Sequence, residues 1–230
     1  MTCNFNRSIF LFILFFNLSS ILYGQDFPLI YSNNFEKSQE LSDFAFSDPE
    51  AWKMDHFENN HFLELFKQSN YKTKVRSPFN IALLKTPRVG SFILEARLKQ
   101  TGRNYAHRDM VLVFGFKDAT NFYYVHIASA TDEYAHNIFI VNDEARKAIS
   151  TKTNDGIDWG QDWNNIRLVR NVSSGMVYFY FNDMDTPIME TKDTHFNEGL
   201  IGFGSFDDTG RIDDVKIWGE ITESKKGIFK

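Results

Sequence analysis

Along much of this chain, apolar and polar residues alternate with period two, in short runs separated by turn-forming residues. In residues 92–100, Phe92, Leu94, Ala96 and Leu98 would face one side of a strand. Ile93, Glu95, Arg97 and Lys99 would face the other. Residues 51–57 and 61–66 flank Glu58-Asn59-Asn60 and predict a hairpin. Further strands are predicted over residues 122–128, 136–141, 164–170, 176–181, 200–206 and 211–218. Residues 110–116 are apolar on both faces, as expected of a central strand between two layers. Turn signals fall between the runs, at 117–121, 154–156, 173–175, 182–185 and 207–210. Residues 40–46 could hold one helical turn. The pattern predicts an all-β fold, a two-sheet antiparallel β-sandwich (jelly roll).

The first 24 residues read differently. Arg7 precedes the apolar run Ile9–Phe16, and a mixed stretch leads to Gly24-Gln25. A basic flank, a short apolar core and a small residue before the cut describe a Sec-type signal peptide over 1–24. The run is too short to cross a hydrocarbon core of about 30 Å, so no stable membrane span is expected after cleavage. Export to the periplasm or the extracellular space follows as an expectation. Residues 25–230 contain no linker, charge block or repeat and read as a single domain.

Composition narrows the chemistry. With 43% hydrophobic and 24% charged residues the chain has material for a core and is not a disordered polypeptide. A net charge of −5 provides no electrostatic footprint for nucleic acid. The one cysteine, Cys3, lies in the signal segment, which excludes disulfides, thiol nucleophiles and Cys-ligated zinc from the mature chain.

Several segments resemble concanavalin A-like lectin/glucanase domains: residues 90–99 (GSFILEARLK), 162–168 (DWNNIRL), 177–182 (VYFYFN), 199–204 (GLIGFG) and the closing 212–217 (IDDVKI). Within that superfamily the chain is most similar to secreted bacterial laminin-G-like and 3-keto-disaccharide-hydrolase-like domains. The resemblance implies a jelly roll that recognises carbohydrate on its concave sheet, or one that degrades polysaccharide. It also implies a structural Ca²⁺ between the first and last strands, at the positions of Glu36 and Asp214. Trp163 would be the core plug of such a domain, with Trp159 free to rim a groove.

Known catalytic spacings are absent. There is no Glu-x-Asp-x-x-Glu, no Gly-x-Ser-x-Gly and no His-x-His. What remains is a polar and aromatic cluster in mid-chain. Alternation over 122–128 puts Phe122, Tyr124 and His126 on one face and Tyr123, Val125 and Ile127 on the other. The catalytic candidates are His107, Asp109 and His126, since a carboxylate beside an imidazole can orient it as a general base. His107 and Asp109 can share a face of an extended segment, and Arg108 would then point away. Tyr105, Arg108, Tyr124, His136, Asn137, Asn142 and Arg146 are candidate sugar ligands. Planar rings suit the C–H faces of sugars, and amide or guanidinium groups suit their hydroxyls. Arg76 is a further candidate, although an ordinary surface ion pair explains it more simply, and any single histidine is more readily a hydrogen-bonded core or strand-edge residue, so that it is the cluster as a whole that points to a site. Two functions of different classes follow: a glycan-binding module, and a glycoside hydrolase or lyase working through the His/Arg/Tyr cluster. A purely structural surface domain ranks third.

Overall fold

The structure, a computed structural model, describes residues 27–37 and 41–222; the signal segment 1–24 and the charged tail from 223 lie outside the described residues. In chain order the first strands are β1 (Leu29–Asn33), β2 (Phe44–Phe46), β3 (Trp52–Phe57), β4 (Asn60–Leu65), β5 (Asn80–Leu84), β6 (Arg88–Gln100), β7 (Asp109–Asp118) and β8 (Asn121–Ala128). They continue with β9 (Ile138–Asn142), β10 (Lys147–Ala148), β11 (Lys152–Thr153), β12 (Asn164–Arg170), β13 (Met176–Phe181), β14 (Met189–Lys192), β15 (Leu200–Ser205) and β16 (Gly210–Thr222).

These strands form two antiparallel sheets. The first runs β11-β14-β13-β12-β6-β16-β4-β3, with β1 also paired to β16, and the second runs β10-β9-β8-β7-β15-β5-β2. The architecture is the expected β-sandwich jelly roll. Helical structure among the described residues is confined to two 3₁₀ turns, Leu41–Asp43 and Pro49–Ala51. The helical turn expected over 40–46 is therefore a 3₁₀ turn that passes straight into β2. No helix of the described residues is long and apolar enough to cross a membrane.

The main core lies between the sheets. Leu94, Leu98, Ile166, Leu168 and Phe179 of the first sheet meet Leu112, Phe114, Tyr123, Val125 and Phe203 of the second. A second apolar layer occupies the opposite face of the second sheet. It contains Ile81, Leu83, Val111, Val113, Phe122, Tyr124 and Phe139, with Val75 and Phe206 packed against it. This explains why β7 is apolar on both faces. One face joins the inter-sheet core, while the other is covered by Val75 of the segment that links β4 to β5 and by Phe206, which follows β15.

Two tryptophans exchange their expected places. Trp159 is the core residue, 2% exposed, edge-on to Phe181, with its indole N–H donating to the Arg108 carbonyl at 3.0 Å. Trp163 is only partly buried, against Phe62 and the Arg97 guanidinium. Asp214 lies inside β16, within the strand predicted over 211–218, but at a bulge, with φ of 48° and the register shifting between Asp213 and Lys216.

Candidate functional site

The site stands at one end of the second sheet, on the face away from the inter-sheet core. Alternation along β8 turns Tyr124 and His126 outward from that core. Asp109, Val111 and Val113 of the neighbouring β7 follow the same rule. Asp109 is fully buried and accepts hydrogen bonds from the Ser205 hydroxyl at 2.8 Å and the Phe206 N–H at 3.1 Å. His126 Nε2 lies 3.1 Å from Asp109 Oδ2, off the angle of a good hydrogen bond, and Nδ1 lies 3.0 Å from the Tyr134 carbonyl oxygen. Both ring nitrogens thus face oxygens.

Above this base is a depression of about 220 Å³. Phe79, Phe206, Tyr105 and Tyr134 give it aromatic walls, while Arg76, Arg146, His107 and His126 bring planar hydrogen-bonding groups. Asp207 is the carboxylate in its lining. Arg146 Nη1 donates to the Tyr124 hydroxyl at 3.0 Å, and its guanidinium lies 4.2 Å from the Phe206 ring centroid and 4.9 Å from that of Phe139. Burial raises the Tyr124 phenol well above its ordinary pKa, so the group accepting from Arg146 is neutral. His107 Nε2 meets Asp132 Oδ2 at 2.6 Å, joining the loop before β7 to the loop after β8. Arg76 lies over the Tyr134 ring at 5.5 Å.

Four expected site residues, Tyr105, His107, His126 and Arg146, line this depression, and Asp109 and Tyr124 lie beneath it. Others are placed elsewhere. Arg108 turns inward, with Nε donating to the Gln100 side chain and Nη2 to the Gln100 carbonyl at 3.0 Å. His136 is fully buried with φ of 53°, and it staples two loops. Its Nδ1 accepts the Ala128 N–H at 3.2 Å, and Nε2 donates to Asn154 Oδ1 at 2.5 Å. Burial lowers its pKa to about 4. The Asn137 side chain donates to the Asp132 and Ala135 carbonyls at 2.8 and 3.0 Å, closing its own loop. Asn142 is exposed, opposite Asn121 at the far end of the strand pair.

Sequence reasoning missed Phe79, Tyr134, Phe206 and Asp207. Phe79, Tyr134 and Asp207 sit in connecting segments, which carry no periodicity to announce a facing direction, and Phe206, expected to end a strand, lies just past β15. For Arg76 it preferred a surface ion pair, yet no carboxylate of the described residues lies within 4.0 Å of its guanidinium.

Two larger depressions, of about 310 and 330 Å³, are built differently. In the one on the outer face of the first sheet, Arg97 pairs with Asp213 and Asp214 at 2.6 and 2.7 Å, and Arg167 with Glu95 at 2.6 Å. In the other, Arg88 donates to the Phe116 and Lys117 carbonyls. Their guanidinium groups are already occupied.

The carboxylates expected to share Ca²⁺ are each engaged by other groups: Glu36 accepts from the His61 backbone at 2.9 Å and meets its ring at 3.0 Å, and Asp214 pairs with Arg97. An acidic group that could hold a metal ion lies instead below the depression. Ligand atoms of Asp109, Asp207 and Asp208 fall within 4.8 Å of one another. Tyr105 donates to Asp208 Oδ2 at 2.7 Å and reaches Asp207 at 3.3 Å, and the Asp109 N–H also donates to Asp208. Burial raises the Asp208 carboxyl pKa, against the pull of these hydrogen bonds. Oxygen ligands suit a hard cation, which would have to share them with those donors.

No family model and no curated protein matches the chain. Solved structures do. The carbohydrate-binding module CBM66 from Bacillus subtilis is 16% identical, the match covering 77% of this chain and 96% of the module, at a TM-score of 0.54. Lectin I-B4 from Griffonia simplicifolia, in its metal-free form, is 16% identical over 83% of this chain and all of the lectin, at a TM-score of 0.53. The GH43 protein BlXynB from Bacillus licheniformis is 11% identical, and the match covers 82% of this chain but 39% of BlXynB, at a TM-score of 0.57. At such identities the likeness is one of fold. The chain has the jelly-roll architecture of the concanavalin A-like, galectin- and lectin-like domains.

Proposed function

We propose that this is a secreted carbohydrate-recognising domain that holds one sugar residue of a glycan in the depression over His126. The observation that carries the reading is the lining itself. Aromatic rings form its walls, and two guanidinium and two imidazole groups meet in one small space. Sugars ask for that combination, flat apolar surface for their C–H faces and fixed donors for their hydroxyls. The volume of about 220 Å³ is below the roughly 300–1,000 Å³ of sites for larger ligands, which fits a single ring with the rest of the glycan outside. The fold shared with a carbohydrate-binding module and a lectin supports the same reading. Secretion rests on the signal-like segment 1–24. Binding of the purified chain to a glycan array tests the proposal. Phe206→Ala, which removes one wall, should weaken the strongest hit by about tenfold. An array without hits, or hits indifferent to Phe206, would reject it.

One observation favours a second reading, a polysaccharide-degrading enzyme. Asp109 is a buried carboxylate fixed by two donors and lies against the His126 imidazole at the pocket wall, the arrangement of an oriented general base. In an enzyme, His126→Ala would retain glycan affinity within a few-fold and lower turnover by about a hundredfold or more. In a binding module it would change affinity alone, with no turnover in the wild type.

A further inference from the structure

We infer that the sugar held in this depression carries a carboxylate, so that the ligand class is a uronic-acid-containing glycan, and that Arg146, assisted by Arg76, reads the acid. The inference rests on the carbohydrate-binding reading and narrows it.

The chain carries a net charge of −5, and most of its other described arginines are met by oxygens of the protein: Arg88, Arg108 and Arg170 donate to carbonyl or amide oxygens. Arg97, Arg167 and Arg211 each pair with a carboxylate at 2.6 to 2.8 Å. Arg146 and Arg76 do not: among the described residues neither has a carboxylate within 4.0 Å. The groups around Arg146 are neutral, namely the Tyr124 hydroxyl and the rings of Phe139 and Phe206. Rings flanking a guanidinium hold its plane without cancelling its charge.

The hydrogen bonds leave one end of the guanidinium unmet. Nη1 donates to Tyr124 and Nε is closed off from the depression, while Nη2 has no acceptor among the described residues. The Nη2 N–H groups are the donors left for a ligand, and a carboxylate meets them with charge-assisted hydrogen bonds. Arg76 is tied to the same place, because its carbonyl accepts the backbone N–H of Arg146 at 3.0 Å, and its guanidinium lies over Tyr134 at the rim. Asp207, the acid of the lining, is engaged by Tyr105 on the other side.

The test is calorimetric titration of the full folded chain with polygalacturonate, polyglucuronate and alginate. Each polymer is paired with its carboxyl-reduced, neutral counterpart, and dextran sulfate serves as a sulfate control. One uronate polymer should bind at least about tenfold more tightly than its reduced form. Arg146→Gln should erase that difference, and Arg146→Lys should restore only part of it, since an ammonium lacks the planar, fixed donors of a guanidinium. If Arg146→Gln does not fold, Arg76→Gln provides the same comparison and should reduce the difference. Equal binding of acidic and reduced forms, or tightest binding to a neutral glycan, would overturn the acidic selectivity and leave sugar recognition standing. Dextran sulfate binding as tightly as any uronate would overturn the carboxylate assignment. A preference unchanged in the variants would remove the arginines from it. Absence of binding to every glycan, acidic or neutral, would overturn the inference together with the reading beneath it.

Discussion

Two histidines ten positions apart show what decides a role at the scale of the residue. His126 obeys strand alternation and reaches the depression, which is why its facing direction could be read from the sequence. His136 was expected beside it, but a positive φ precedes β9 and turns its ring into the protein. Nothing in the residue pattern signals that twist. The buried ring of His136 titrates at about 4 in the fold, below the ordinary 6.5. Between those values the unfolded chain binds the extra proton and the folded chain does not. His136 therefore lowers stability as the pH falls from 6.5 towards 4, by at most about 3 kcal/mol. Urea melts at pH 7 and pH 4.5 should show that loss, and His136→Gln, which cannot take the proton, should flatten the slope. Asp109 makes a different prediction. Its carboxylate satisfies the Ser205 hydroxyl and the Phe206 N–H in a fully buried place, so Asp109→Ala should cost about 2 kcal/mol in a chemical melt. An unchanged melt would mean that water replaces the carboxylate freely.

At the scale of the element, legibility followed length. The strands β12 and β13 begin and end where alternation and turn residues place them, and the hairpin of β3 and β4 turns where Glu58 and Asn59 stand. The edge strands β10 and β11 have two residues each and β14 has four, too few to show a period. β15 illustrates a constraint that alternation does not express. A Cβ on Gly204 would lie 1.9 Å from the Asn80 carbonyl oxygen, in the backbone of the paired β5, so the two strands approach too closely for any side chain there. Gly204→Ala should force them apart and cost about 1–3 kcal/mol. Because β15 ends at Ser205 and leads into Phe206, it should also weaken glycan binding. A variant with unaltered Tm and affinity would show that this pairing is slack.

For the whole molecule, the two-sheet sandwich was legible because period-two patterning and turn spacing extend over most of the chain. The second apolar layer was not. A strand apolar on both faces looks the same whether its second face meets a sheet or covering segments, and here Val75 of the segment between β4 and β5 and Phe206 after β15 form the cover. That segment also brings Arg76 and Phe79 to the site, which is how the site came to be larger than the cluster read from residues 100–146. Export makes its own prediction at this scale. Intact mass of the secreted protein should show a chain starting at Gln25, and a mass retaining residues 1–24 would contradict the signal reading. The central claim, that a sugar sits over His126 on the outer face of the second sheet, is tested most directly by NMR chemical-shift mapping with the tightest-binding glycan of the array. The account predicts the largest shifts at Tyr105, His107, Tyr134, Arg146 and Phe206. Shifts centred on Arg97, Trp163 and Arg167, across the first sheet, would contradict it.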